Sequence, residues 1–152
     1  MSPPGADDDR TLDARHARPE GTGDKAVEAA GKLTEALETL GRARGHLLSF
    51  HQLVGATDLA LDDAVDLLRE AGRDDLADAV ATDLVGRNVI AGRWTFQLVE
   101  EFDDGYHARF AEHERAVRDA LTGGRRHVFE AEMKERRRTH GRRGHEATPG
   151  DV

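Results

Sequence analysis

Arg44, His51, Arg109 and His113 are the side chains whose type and spacing could do chemistry in this chain. On a straight helix at about 100° per residue, Arg44 and His51 project from the middle of a leucine stripe. They fill the heptad positions that Ala30 and Leu37 occupy earlier on the same line. Arg109 and His113 fall on the face of Leu98, Phe102 and Tyr106. Burying an unpaired guanidinium is very costly, so each inward arginine requires an anionic partner. Glu101 and Glu112, at the edge of the later apolar face, are the internal candidates, together with acids of shorter helices. Three arrangements satisfy that requirement. The first is Arg–carboxylate pairing that fixes helix register, and the second is a polar self-association seam. The third is a pocket for a small anionic ligand, edged by Glu101, with Arg44 and Arg109 as clamps and His51, His113 and Tyr106 as hydrogen-bonding walls. General-base catalysis by His51 or His113 lacks a visible nucleophile or second base.

A second cluster joins Glu100, Asp103, Asp104 and His107, whose spacing aligns all four on one helix face. Asp104 and His107 reproduce the carboxylate-x-x-His spacing of ferritin-like di-iron bundles. Such a site needs the motif twice plus further glutamates, and here it occurs once. The stripe also lies about 140° from the apolar face at 100° per residue, so it is expected to face water. A divalent metal held there is the alternative. His46 and His51, five apart, sit on separate sides of their helix and argue against a hemerythrin-like set.

The elements that must position these groups are helices. Asp24 is the expected N-cap of a first helix running to about Val54 and stopping at Gly55, with Leu33, Leu37, Leu40 and Leu47 on its stripe. A second helix is expected over about 59–71, with Leu61, Ala64, Val65 and Leu68 on one face. A third is expected over about 74–85, ending at Gly86. A long fourth, about 93–121, places Leu98, Phe102, Tyr106, Phe110 and Val117 on one side, and a last helix covers about 125–138. The fold class read from this pattern is all-α: a helical bundle of two long antiparallel helices bracketing a short helical pair, plus a C-terminal helix. Gly31, Gly41 and Gly45 share one flank of the first helix. They would admit another backbone closely, or they reflect coding bias. Residues 1–23, with three prolines and Asp7-Asp8-Asp9, read as a disordered arm, residues 24–138 as one domain, and residues 139–152 as a disordered basic tail.

The chain has 152 residues, 38% hydrophobic and 34% charged, which is enough for one domain with a core of Leu, Val and Ala. It contains no cysteine, which excludes disulfides, thiolate nucleophiles and Cys-ligated metal centres. No signal-like or bilayer-spanning apolar run is present, and a cytoplasmic location is expected. Net charge is −8. Residues 123–152 hold eight basic and five acidic side chains, leaving fourteen against twenty-five in the remainder. An acidic body repels phosphates, so nucleic acid is not expected as a partner, except through the tail around Arg125, Lys134, Arg136 and Arg142.

The stretches Gly92-Arg93-Trp94-Thr95-Phe96-Gln97-Leu98-Val99-Glu100-Glu101-Phe102-Asp103-Asp104-Gly105-Tyr106 and Arg125-Arg126-His127-Val128-Phe129-Glu130-Ala131-Glu132-Met133-Lys134 resemble segments of small uncharacterised helical proteins of actinobacteria. The resemblance covers most of residues 40–138 and implies no activity. The function expected from the residues is protein–protein interaction or regulation, as a homodimer or as the partner of another protein, without a membrane partner, enzymatic activity or cofactor. The alternative is a bundle that binds a small anionic ligand or a divalent metal and could be an enzyme.

Overall fold

A computed structural model describes residues 12–148. Among these residues every regular element is helical. The helices are α1 (Asp24–Glu70), α2 (Asp74–Asp83), α3 (Thr95–Phe102), α4 (Ala108–Thr122) and α5 (Val128–Arg137), with a π-helical turn at Asp103–His107 joining α3 to α4. No described helix is long and apolar enough to cross a membrane. The described residues fall into two compact units. The first combines residues 12–38 with 110–148, and the second is Thr39–Arg109.

The expected break at Gly55 does not occur. α1 runs unbroken for 47 residues, about 70 Å at 1.5 Å per residue, so the first and second expected helices are one. Asp24 lies inside its first turn rather than capping it. A mid-helix glycine costs roughly 1 kcal/mol against alanine, which packing on both sides of Gly55 outweighs. The real stop is Gly72, whose φ of +73° suits only glycine well. There the Arg73 N–H reaches back to the Leu68 carbonyl at 2.9 Å, satisfying a carbonyl the helix end would leave open.

In the second unit, α1 turns Val65 fully inward and Leu47, Val54, Leu61 and Leu68 half inward, and Ala77 of α2 is fully buried. Arg69 ties the two helices together through Asp78 at 2.9 Å. Asp58 accepts the Gly86 N–H at 2.8 Å and so anchors the chain leaving α2. α3 runs antiparallel to α1, because His51 meets Thr95 while Arg44 meets Asp103.

The first unit is built on Val27, Ala30 and Val128 and on a buried polar network. Glu114 of α4 is 6% exposed. The Thr34 hydroxyl lies 2.9 Å from its Oε1, and Arg118 donates to it at 3.1 Å. A further Arg118 N–H binds the Gly124 carbonyl at 2.9 Å. The Thr122 hydroxyl sits 2.9 Å from the Arg118 and Arg125 carbonyls and donates to one of them. Gly31 is the one member of the glycine flank with a packing role: a Cβ there would stand 3.1 Å from Phe129 Cβ, whereas Gly41 and Gly45 face open space.

The segment 12–23, expected as part of a disordered arm, is bound into this unit. Arg18 grips Glu132 with two hydrogen bonds of 2.6 and 2.8 Å and also reaches Asp24. His16 contacts the Arg126 carbonyl at 2.7 Å, and Arg125 donates to the Ala17 carbonyl. The start of the expected tail is likewise tied down. Arg138, its side chain wholly buried, pairs with Glu135 and donates to the His145 carbonyl. Residues 1–11 and 149–152 of the expected arm and tail lie outside the described residues.

Two predictions follow from these placements. Gly55→Ala should raise the unfolding temperature, by about 0.5–1 kcal/mol of stability, because the site is helical and a methyl there meets nothing within 4 Å. A broken helix at Gly55 would give the opposite sign in a thermal melt. Burial alone would raise the Glu114 pKa, but hydrogen bonds from Arg118 and Thr34 outweigh it and hold the carboxyl below its ordinary 4.5. The stability it contributes is therefore present above pH 4.5 and lost as pH falls through the lower, folded value. Glu114→Gln should cost about 3 kcal/mol at neutral pH, and the difference from wild type should shrink on acidification in urea titrations.

Candidate functional site

Arg44 and Asp103 form the centre of the candidate site. The Arg44 Nε and Nη2 donate to the two Asp103 carboxylate oxygens at 2.6 and 2.7 Å, a planar fork on a planar acceptor. Both side chains are about one-third exposed. The guanidinium holds the Asp103 carboxyl below its usual range, and the carboxylate raises the arginine in return. Arg44 thus has an internal partner, as its place on the leucine stripe requires, but that partner is Asp103 rather than Glu101 or Glu112.

A π turn follows at once and displaces the residues beyond it, Glu112 included. The Ala108 N–H bonds to the Asp103 carbonyl, five residues back instead of four. One residue is thereby inserted into the turn, and side chains beyond it fall back by about 100° relative to a uniform wheel. Before the turn, the chain faces inward through Thr95, Leu98, Val99, Phe102 and Asp103. After it, the inward set is Phe110, Ala111, Glu114, Val117, Arg118 and Leu121, centred roughly 100° further round. Arg109 and His113, expected on the inner face, are both exposed, and Glu114 takes the buried place instead. The local mark of this irregularity was Gly105, a glycine inside an otherwise helical pattern. Glu114 and Arg118 carried a second signal in their i, i+4 spacing.

The remaining candidates are placed as follows. His51 is half-buried, with Nδ1 2.7 Å from the Thr95 hydroxyl at the start of α3. The Gln97 side chain caps the same helix end by accepting the Trp94 N–H at 2.9 Å. Glu101 is exposed and paired with Arg93. Tyr106 is 61% exposed, its ring 6.5 Å from that of Phe102. In the metal candidate set, Glu100 and Asp104 are exposed, both Asp103 oxygens are engaged by Arg44, and His107 lies against the Phe102 ring at 6.0 Å. Among the described residues no three His, Asp or Glu side chains are grouped so as to hold a metal ion.

In the second unit Arg44 therefore meets Asp103 and His51 meets Thr95, two separate contacts about 10 Å apart along α1 at 1.5 Å per residue, and Arg109 and His113 face solvent. A groove of about 240 Å³ in the same unit is lined by Val54, Asp58, Arg87, Val89, Trp94 and Phe96. None of the proposed anion-clamp residues lines it. What the assembled groups can do chemically is modest: the guanidinium is neutralised, and an anion at Arg44 would have to displace a bidentate carboxylate. No protein-family model, curated protein or solved structure matches the chain.

The pairing itself can be measured. Arg44→Met and Asp103→Asn should each lower stability, because each leaves the other group without its partner. The double variant should cost much less than their sum. Additive losses in urea unfolding would show that the two side chains do not act as a pair.

Proposed function

We propose that the chain is a helical interaction module, regulatory rather than catalytic, that works as a homodimer. The observation that carries this reading is an imbalance between covered and uncovered apolar side chains. Among the described residues five apolar side chains are buried, all of them Val or Ala: Val27, Ala30, Val65, Ala77 and Val128. Thirteen large apolar side chains are exposed, and eleven of those lie in the second unit. Single exposed apolar residues are ordinary, but such a concentration marks an interaction surface. At roughly 25 cal/mol per Å² of apolar area removed from water, covering a few of these side chains supplies several kcal/mol toward association.

The electrostatics are consistent with this reading. Arg44 carries its own counter-ion, so a small anion has no unpaired inward guanidinium to recruit it there. Pairs of this kind fix which residues of two helices face each other more than they add stability. A surface held in fixed register is what a specific protein contact requires.

Analytical ultracentrifugation across a hundredfold range of concentration tests the reading. A monomer–dimer equilibrium or a constant dimer is expected. A single monomeric species throughout would remove the homodimer.

A further inference from the structure

The outward face of α1 in the second unit carries a pattern that the inward packing does not use. From Ala43 to Ala71, residues recur at strict alternating steps of three and four, and every one of the nine positions is exposed. This is the a/d rhythm of a coiled coil sustained over four heptads, enough for a stable seam. Seven of the nine are apolar, among them Phe50, Leu53 and Leu67, with Leu53 65% and Leu67 63% exposed. The exceptions are His46 and Thr57, and the Thr57 hydroxyl already donates to the Leu53 carbonyl at 2.8 Å. Covering Thr57 would therefore leave no unsatisfied donor and present only its methyl group.

We infer that this seam pairs with the same seam of a second copy, antiparallel, about a twofold axis close to Ala56. The inference rests on the homodimer proposed above and specifies its geometry. Charge is the first argument. Beside the seam, residues 39–57 hold Arg42 and no carboxylate, Arg44 being paired inward with Asp103, whereas residues 58–71 hold five acids, Asp63 and Glu70 on the same flank as Arg42. Parallel pairing would lay acidic half on acidic half, and antiparallel pairing lays each acidic half on a basic one. The flanking positions follow suit: Arg42 meets Glu70 of the second copy, and Ala56 meets Ala56.

Shape is the second argument. In the antiparallel register each layer joins a bulky side chain to a small one. Phe50 lies over Ala60, Leu67 over Ala43, His46 over Ala64, and Leu53 over Thr57. Such layers interdigitate evenly. A parallel in-register pair would stack Phe50 on Phe50 and Ala60 on Ala60, alternating crowded layers with hollow ones.

The chain has no cysteine of its own, so introduced thiols report geometry directly. Ala56→Cys should give a covalent dimer with a short bis-maleimide reagent. Arg42→Cys and Glu70→Cys should not, since their copies would stand about 40 Å apart at 1.5 Å per residue. Glu70→Arg should weaken the dimer at least tenfold at low salt, and Arg42→Glu with Glu70→Arg should restore it. Leu53→Glu should raise the dissociation constant at least a hundredfold while leaving the helical circular dichroism of the monomer unchanged. Cross-linking at Arg42 or Glu70, or a failed charge rescue, overturns the antiparallel arrangement. A dimer that survives Leu53→Glu overturns the seam and leaves self-association standing through another surface. A monomer at every concentration overturns both.

Discussion

The π-helical turn at Asp103–His107, in which the Ala108 N–H reaches the Asp103 carbonyl, sets the register of the helical segment that follows it. In a regular helix that donor would reach Asp104. The extra residue in the turn decides which side chains beyond it are covered. Asp103, at the head of the turn, engages Arg44 through both carboxylate oxygens. π turns interrupt α-helices at a cost in hydrogen-bond geometry and persist where a side-chain placement depends on them. Here the placements that change are those of Arg109, His113 and Glu114, all beyond the turn.

Charged pairs recur where an apolar contact would be the simpler solution. Arg44–Asp103 holds α1 to the π turn in the second unit. In the first unit, Arg18–Glu132 joins distant segments in the same way, while Glu114–Arg118 and Arg138–Glu135 are pairs along a single helix. No buried side-chain nitrogen or oxygen among the described residues lacks a hydrogen-bond partner. Fully satisfied polar networks permit few alternative alignments, because a slip of one turn strands a charge in a partly dry place. The small apolar core supplies limited cohesion, and the polar contacts supply definition.

Helical class and most helix boundaries were legible from the three-four spacing of Leu, Val and Ala. So was the need for an anion beside Arg44, since its position on a leucine stripe follows from the sequence alone. Gly55 was misleading because a glycine on the solvent side of a long helix is only a mild penalty, which the inward packing of Leu47, Val54, Leu61 and Val65 overrides. Arg109 and His113 were misplaced because a uniform 100° wheel cannot register an inserted residue, and Gly105 is a weak announcement of one. The N-terminal segment looked coreless because its anchors are polar: Arg18 and His16 bind through hydrogen bonds that apolar periodicity does not report. The outer seam of α1 was hidden by the inner one. Leu and Ala residues serving two faces of the same helix blur into one broad apolar stripe when read linearly.

The first unit is assembled from both ends of the chain, and Arg18 meets its carboxylate 114 residues later. Residues 39–109 are one contiguous stretch, synthesised in full once translation passes Arg109. A ribosome would therefore release a finished middle before the beginning has anything to fold upon. Contacts so distant in sequence are slow to form, and the early α1 turns must wait, with Val27 and Ala30 uncovered, until α5 emerges. Nascent chains stalled short of Glu132 would consequently be half folded and sticky at the amino-terminal side.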